Sequence, residues 1–160
     1  MALKLNTTRF GNVEVDDGKI LTFPFGLIGF PAIKRYALLD HPGGGPFQWL
    51  QAVDVPELAF VVTDPRLFFQ GYAVPVRSEQ LEAIGICEAS EGIVVVILVV
   101  PKDPQRITAN LMGPIVINLA ERLACQLVLD HPGYGTRHAL FTGAEPEPAV
   151  ATMREEERQC

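Results

Sequence analysis

Glycine and proline punctuate this chain too densely for long helices. Fourteen glycines and thirteen prolines make 27 of its 160 residues, well above the usual share. Proline removes a backbone donor and glycine costs extra entropy to order. The runs left between them are short, apolar and often β-branched, which is the pattern of strands closed by turns. Such runs lie at 36–39, 47–53, 58–63, 93–100, 107–112, 115–119 and 123–129. The run at 93–100 is apolar throughout, as in a strand buried on both faces. Near the N-terminus, runs on either side of Asp16-Asp17-Gly18 suggest a hairpin about that turn. One helix is predicted over 78–84, with Ser78 as cap, Glu79 and Glu82 in the first turns and Gly85 as the stop. The fold class that follows is mainly all-β: a small antiparallel, barrel-like domain of about ten short strands and one short helix.

The hydrophobic share of 48% with 20% charged residues marks a globular chain. Residues 1–142 read as a single domain. Residues 143–160 change character, with Glu145-Pro146-Glu147-Pro148 followed by Arg154-Glu155-Glu156-Glu157-Arg158. Five acids against two bases give this tail −3 of the net −6. It reads as a disordered or loosely helical appendage.

An acidic balance argues against a broad nucleic-acid surface, which needs a basic excess to displace counterions. A basic protein partner suits it better. Three cysteines, Cys87, Cys125 and Cys160, form no CxxC and no even set. A reducing compartment is therefore expected. The first ten residues lack an apolar signal core, and the longest apolar run, 93–101, is far too short to span a bilayer. The sequence thus reads as a cytoplasmic soluble protein.

Enzyme signatures are missing: no GxxxxGK[ST], HExxH or GxSxG, and no Cys/His pair at zinc-finger spacing. Gly43-Gly44-Gly45 has no following Lys and reads as a flexible loop. Asp40-His41-Pro42-Gly43 and Asp130-His131-Pro132-Gly133 are identical tetrapeptides. Each reads as a turn, Asp opening it and Pro-Gly completing it. The competing possibility is a metal-dependent hydrolase site built from both Asp-His pairs. His138 reads as structural or interfacial. No cofactor is expected.

Other residues suit binding. Pro24 to Pro31 reads P-F-G-L-I-G-F-P. Its breakers forbid regular structure, so Phe25, Leu27, Ile28 and Phe30 are either tucked in or offered as a contact surface. Phe68, Phe69 and Tyr72 are similar candidates, while Trp49 is assigned to the core. The acids gather in turns, at Asp16, Asp17, Glu57, Asp64 and Asp103, where they can steer a basic partner. Asn110 and Asn118 interrupt strand-like runs that disfavour Asn. Each either bonds nearby backbone or faces a partner.

Read in order, several segments resemble the FliW family. They are Ile20-Leu21-Thr22-Phe23-Pro24, Gly26-Leu27-Ile28-Gly29-Phe30, Phe47-Gln48-Trp49-Leu50-Gln51, and Ala59-Phe60-Val61-Val62-Thr63-Asp64-Pro65 with Phe68-Phe69. Thr108-Ala109-Asn110-Leu111, Pro114-Ile115-Val116-Ile117-Asn118, Tyr134 and Arg137-His138 complete the series, which runs from about Thr8 to about Leu140. The resemblance implies a small cytoplasmic β-barrel without enzymatic activity. It implies two protein partners, flagellin and the carbon storage regulator CsrA, and no direct nucleic-acid or membrane contact. It also implies a switch in which flagellin, once exported, frees the protein to antagonise CsrA allosterically and relieve repression of flagellin messenger RNA. A generic export chaperone for another client is the alternative. The chain departs from the family pattern in its Gly43–Gly45 loop, its tail after Phe141, and Ala139 where Pro often follows the Arg-His pair.

Overall fold

The structure, a computed structural model, describes residues 2–8, 11–41, 44–74, 79–87 and 91–141. Ser78 and residues 143–160, expected as helix cap and tail, lie outside them. The strands are β1 (Ala2–Thr7), β2 (Gly11–Asp16), β3 (Ile20–Thr22), β4 (Arg35–Asp40), β5 (Phe47–Ala52), β6 (Ala59–Thr63), β7 (Ile93–Val99), β8 (Thr108–Ala109), β9 (Ile115–Asn118), β10 (Leu123–Gln126) and β11 (His138–Ala139). Among the described residues one short α-helix, α1 (Glu79–Ala83), sits between β6 and β7.

Seven strands close on themselves in the order β3-β4-β5-β6-β7-β9-β10, with β10 returning to β3. Closure leaves these strands no open edge. Every pairing is antiparallel except β10–β3, where Leu123 faces Thr22 and the Thr22 amide donates to the Arg122 carbonyl at 2.9 Å. Alternation decides the interior. Tyr36 and Leu38 of β4, Leu50 and Ala52 of β5, Val62 of β6, Val95 of β7, Ile115 and Ile117 of β9 and Ala124 of β10 share one buried cluster with Leu21 and Phe23.

Parts of the outer wall are also covered. The β1–β2 hairpin seals Leu5 and Val15 against Ala37, with Ile20, Leu39 and Val53 packed alongside. On another face Val96 and Leu98, Val116 and Cys125 pack under α1, β8 and the loops that carry Tyr72, Leu127 and Leu140. Burial drives the Cys125 thiol up to about 11, which keeps it protonated and inert.

Several boundaries differ from expectation. Asp16-Asp17-Gly18 does not turn a hairpin. Residues Asp17–Lys19 form one 3-10 turn, and β2 pairs with β1 instead, in a register joining Thr7 to Gly11. That turn carries the chain from the outer cover into the barrel wall, so β3 pairs with β4 and β10. The run at 107–112 is strand only at β8. The Asn110 Oδ1 accepts from the Met112 and Gly113 amides at 3.1 and 3.0 Å, and this side-chain turn ends the ladder. The run at 123–129 stops after Gln126, with Leu127 and Leu129 donating to the loop carbonyls of Pro114 and Met112. β7 is buried at its middle, but Ile93 and Val99 at its ends are exposed.

Candidate functional site

The Pro24–Pro31 segment is an ordered loop held by its own backbone. Gly26 donates to Phe23, Phe30 to Leu27 and Ile33 to Phe30. Gln126 fastens it to the barrel, accepting from the Ile28 amide at 2.9 Å while donating to Gly113. Gly26 has φ +68, and a Cβ there would meet the Phe30 carbonyl at 2.6 Å and Pro31 Cα at 2.7 Å. Only glycine fits. The loop sorts its apolar residues. Leu27 faces the interior, whereas Phe25, Ile28 and Phe30 are 47%, 60% and 37% exposed. Phe30 also sets its ring edge-on to Phe60 at 5.6 Å. The result is an apolar patch on a fixed scaffold beside Lys34, whose Nζ donates to the Pro24 carbonyl.

The other aromatic candidates are structural in part. Tyr72 is buried, and its hydroxyl donates to the Leu111 carbonyl at 2.7 Å. Desolvation, with a smaller contribution from Tyr134, holds its pKa well above the usual phenol range. Phe68 is half-buried, stacked on Phe47 and edge-on to Phe141, each at 6.1 Å. Phe69 is half-buried against the His138 ring.

The acidic candidates do not converge. Asp16 and Glu57 are exposed, Asp17 half-exposed. Asp64 and Asp103 each precede a proline and accept an amide two residues on, from Arg66 at 2.9 Å and Gln105 at 3.0 Å. Asp64 also pairs with Arg66. Both asparagines spend their amides on backbone. Asn110 ends β8, and Asn118 donates to the Ile84 carbonyl at 2.7 Å and accepts from Glu121, tying α1 to the barrel.

The two Asp-His pairs are not brought together. No group of three or more His, Cys, Asp or Glu side chains able to hold a metal occurs among the described residues. Asp40 accepts from Gln48 across β4–β5, and the His131 ring stacks on Tyr134 at 4.3 Å. The Gly44 amide donates to the His41 carbonyl and the Tyr134 amide to the His131 carbonyl, while Pro42 and Gly43 lie outside the described residues. His138 accepts the Gly135 amide on Nε2 at 2.7 Å, and burial lowers its pKa from the ordinary value.

A second surface was missed from the sequence. On the outer face of the barrel wall, between the two covers, Trp49 is half-buried rather than in the core. Trp49 of β5 faces Val61 of β6, which faces Leu98 of β7. With Phe47, Val100, Ile107 and His41 these side chains line an apolar groove of about 440 Å³. The period-2 signal was there: Phe47 and Trp49 alternate with Leu50 and Ala52. Both faces are apolar, however, so the pattern alone does not say which is inside.

A family model described as FliW protein matches residues 4–140. The flagellar assembly factor FliW of Geotalea uraniireducens is 41% identical over 143 residues, 89% of this chain and 87% of its own length. That of Natranaerobius thermophilus is 42% identical over 140 residues, 87% of this chain and 93% of the relative. A crystal structure of the flagellar assembly factor FliW superposes with a TM-score of 0.80 at 35% identity, covering 91% of this chain and 99% of that one. With fold, length and sequence in agreement across nearly the whole barrel, this chain belongs to the FliW family.

Proposed function

We propose that this protein is a cytoplasmic flagellar assembly factor with two alternating protein partners. It holds newly made flagellin. When flagellin is exported, the freed protein binds CsrA and antagonises it allosterically, so that flagellin messenger RNA is translated. The observation that carries this reading is membership of the FliW family along residues 4–140, with relatives named flagellar assembly factors that match over most of both chains.

The surface chemistry supports binding rather than catalysis. The patch of Phe25, Ile28 and Phe30 is exposed on a loop that its own hydrogen bonds hold still. An amphipathic segment such as a flagellin terminus docks on a surface of that kind, and a rigid surface loses little entropy on binding. The net charge of −6 suits a basic RNA-binding regulator. Asp64 and Asp103 sit on turns where their charge speeds encounter more than it strengthens the complex.

Calorimetry of the purified protein with CsrA from the same cell, with and without flagellin, tests the switch. Tight binding that flagellin abolishes is expected. Binding to neither protein overturns the reading and leaves a FliW-type barrel with another client. Asp64→Asn with Asp103→Asn keeps both amide acceptors in the turns but removes two charges. It is expected to slow CsrA association and flatten its salt dependence. An unchanged on-rate and salt slope in stopped-flow binding would remove these two residues from the encounter surface.

A further inference from the structure

We propose that Gln126 is the positioning residue of the Pro24–Pro31 contact patch, and that Val128 completes this patch. The ligand it fits is the apolar face of an amphipathic helix that brings a carboxylate to Lys34. The inference rests on the reading of this loop as the flagellin contact.

Gln126 stands where the barrel wall ordinarily carries an apolar side chain. Cys125, Leu127 and Leu129 join the cluster under the outer cover. By alternation Ala124, Gln126 and Val128 share the opposite face, and Ala124 fills the barrel interior. Gln126 is 7% exposed, and an amide buried that deeply is costly unless its polar atoms are bonded. Oε1 accepts the Ile28 amide and Nε2 donates to the Gly113 carbonyl, each at 2.9 Å. Among the described residues, the other backbone bonds of the loop are local turns, whereas this one joins positions 98 apart. The far end of the strut is itself fixed, because the Gly113 amide donates to Asn110. Gly113 also leaves the strut its room: a Cβ there would lie 2.9 Å from Nε2. Holding the Ile28 amide sets the direction in which that exposed side chain points.

Val128 lies two residues along the same face, about 7 Å from Gln126. At 65% it is the most exposed large apolar side chain among the described residues. Gln126 thus joins two distant segments into one apolar surface of Phe25, Ile28 and Val128. Residues 20–33 carry no charge. Lys34 borders them, exposed, with its Nζ on the Pro24 carbonyl and no carboxylate partner among the described residues. An ammonium has three donors, so two are left for a ligand. A fixed apolar surface with one unpaired cation at its border selects an amphipathic helix with an acid beside its apolar face.

The test combines calorimetry with flagellin and hydrogen exchange at the Ile28 amide, well below the melting temperature. Gln126→Met keeps the volume and removes both bonds. It is expected to speed Ile28 exchange about ten-fold or more and to weaken flagellin binding roughly ten-fold. Gly113→Ala pushes Nε2 aside without touching the patch. It is expected to act in the same direction and to add little to Gln126→Met. Val128→Ser is expected to leave the melting temperature unchanged and weaken binding about five-fold, and Lys34→Gln to flatten its salt dependence. Unchanged affinity in Gln126→Met and Val128→Ser overturns the proposal and leaves the flagellin reading standing. Ile28 exchange that rises in Gln126→Met no more than exchange at the core residue Val62 also overturns it, since the role of Gln126 is then stability alone. A native protein that binds no flagellin overturns the reading of the loop, and the proposal with it.

Discussion

At the scale of single residues, this barrel uses polar side chains to stop strands. Asn110 is the clearest case, because one amide oxygen satisfies two backbone donors where β8 ends. Asn110→Ala leaves both without that acceptor in a half-buried site and is expected to cost about 2 kcal/mol in urea unfolding. Asn110→Asp keeps the acceptor and loses much less. His138 gives a pH signature. Its Nε2 accepts the Gly135 amide, and the Gly135 carbonyl in turn accepts from Leu111 and Met112. A protonated imidazole cannot accept that bond. Burial lowers the folded pKa, so the unfolded state binds the proton first as the solution is acidified. The stability His138 supplies is therefore complete above its unfolded pKa of about 6.5 and is lost as pH falls from there through the lower folded value. His138→Gln keeps an acceptor without titrating. The expected outcome is a melting temperature that falls less between pH 7 and pH 5 than in the native protein.

Elements show what the chain made legible. The strands at β4, β5, β6, β7 and β9 stand close to where their apolar runs place them, because turn residues bracket each run. The Asp64-Pro65 and Asp103-Pro104 turns follow from the same chemistry, since a carboxylate before proline reaches the amide two residues on. What could not be read was pairing. Asp16-Asp17-Gly18 has hairpin composition, yet β3 is claimed by β4 and β10, and its parallel partner lies about a hundred residues away. Outer layers hid the groove in the same way, because a wall covered on both faces is apolar on both faces. The composition of the Pro24–Pro31 loop leaves open whether its apolar residues are tucked in or offered outward, and which of them point outward depends on the Gly26 turn. Gly26→Ala forces a side chain into the Phe30 and Pro31 backbone at positive φ. It is expected to cost about 2–3 kcal/mol and, on the function proposed above, to weaken flagellin binding beyond what that loss of stability explains, measured by calorimetry well below the melting temperature.

For the whole molecule, one interior cluster couples strands from Leu21 to Ala124. A cavity cut there is felt throughout. Leu50 is fully buried, and Leu50→Ala is expected to cost about 3 kcal/mol while the unfolding transition stays single and coincident in far-ultraviolet ellipticity and Trp49 fluorescence. The same topology has a consequence for synthesis. β3 ends at Thr22 and must wait for β10, which begins at Leu123, before the wall can close. At about 5–20 residues per second on the ribosome, the intervening stretch takes roughly 5–20 s to make. Throughout that interval the growing chain carries an unclosed, apolar, strand-rich surface. For a short time during its own birth, each copy exposes to its surroundings the apolar face that the closed barrel will later hide.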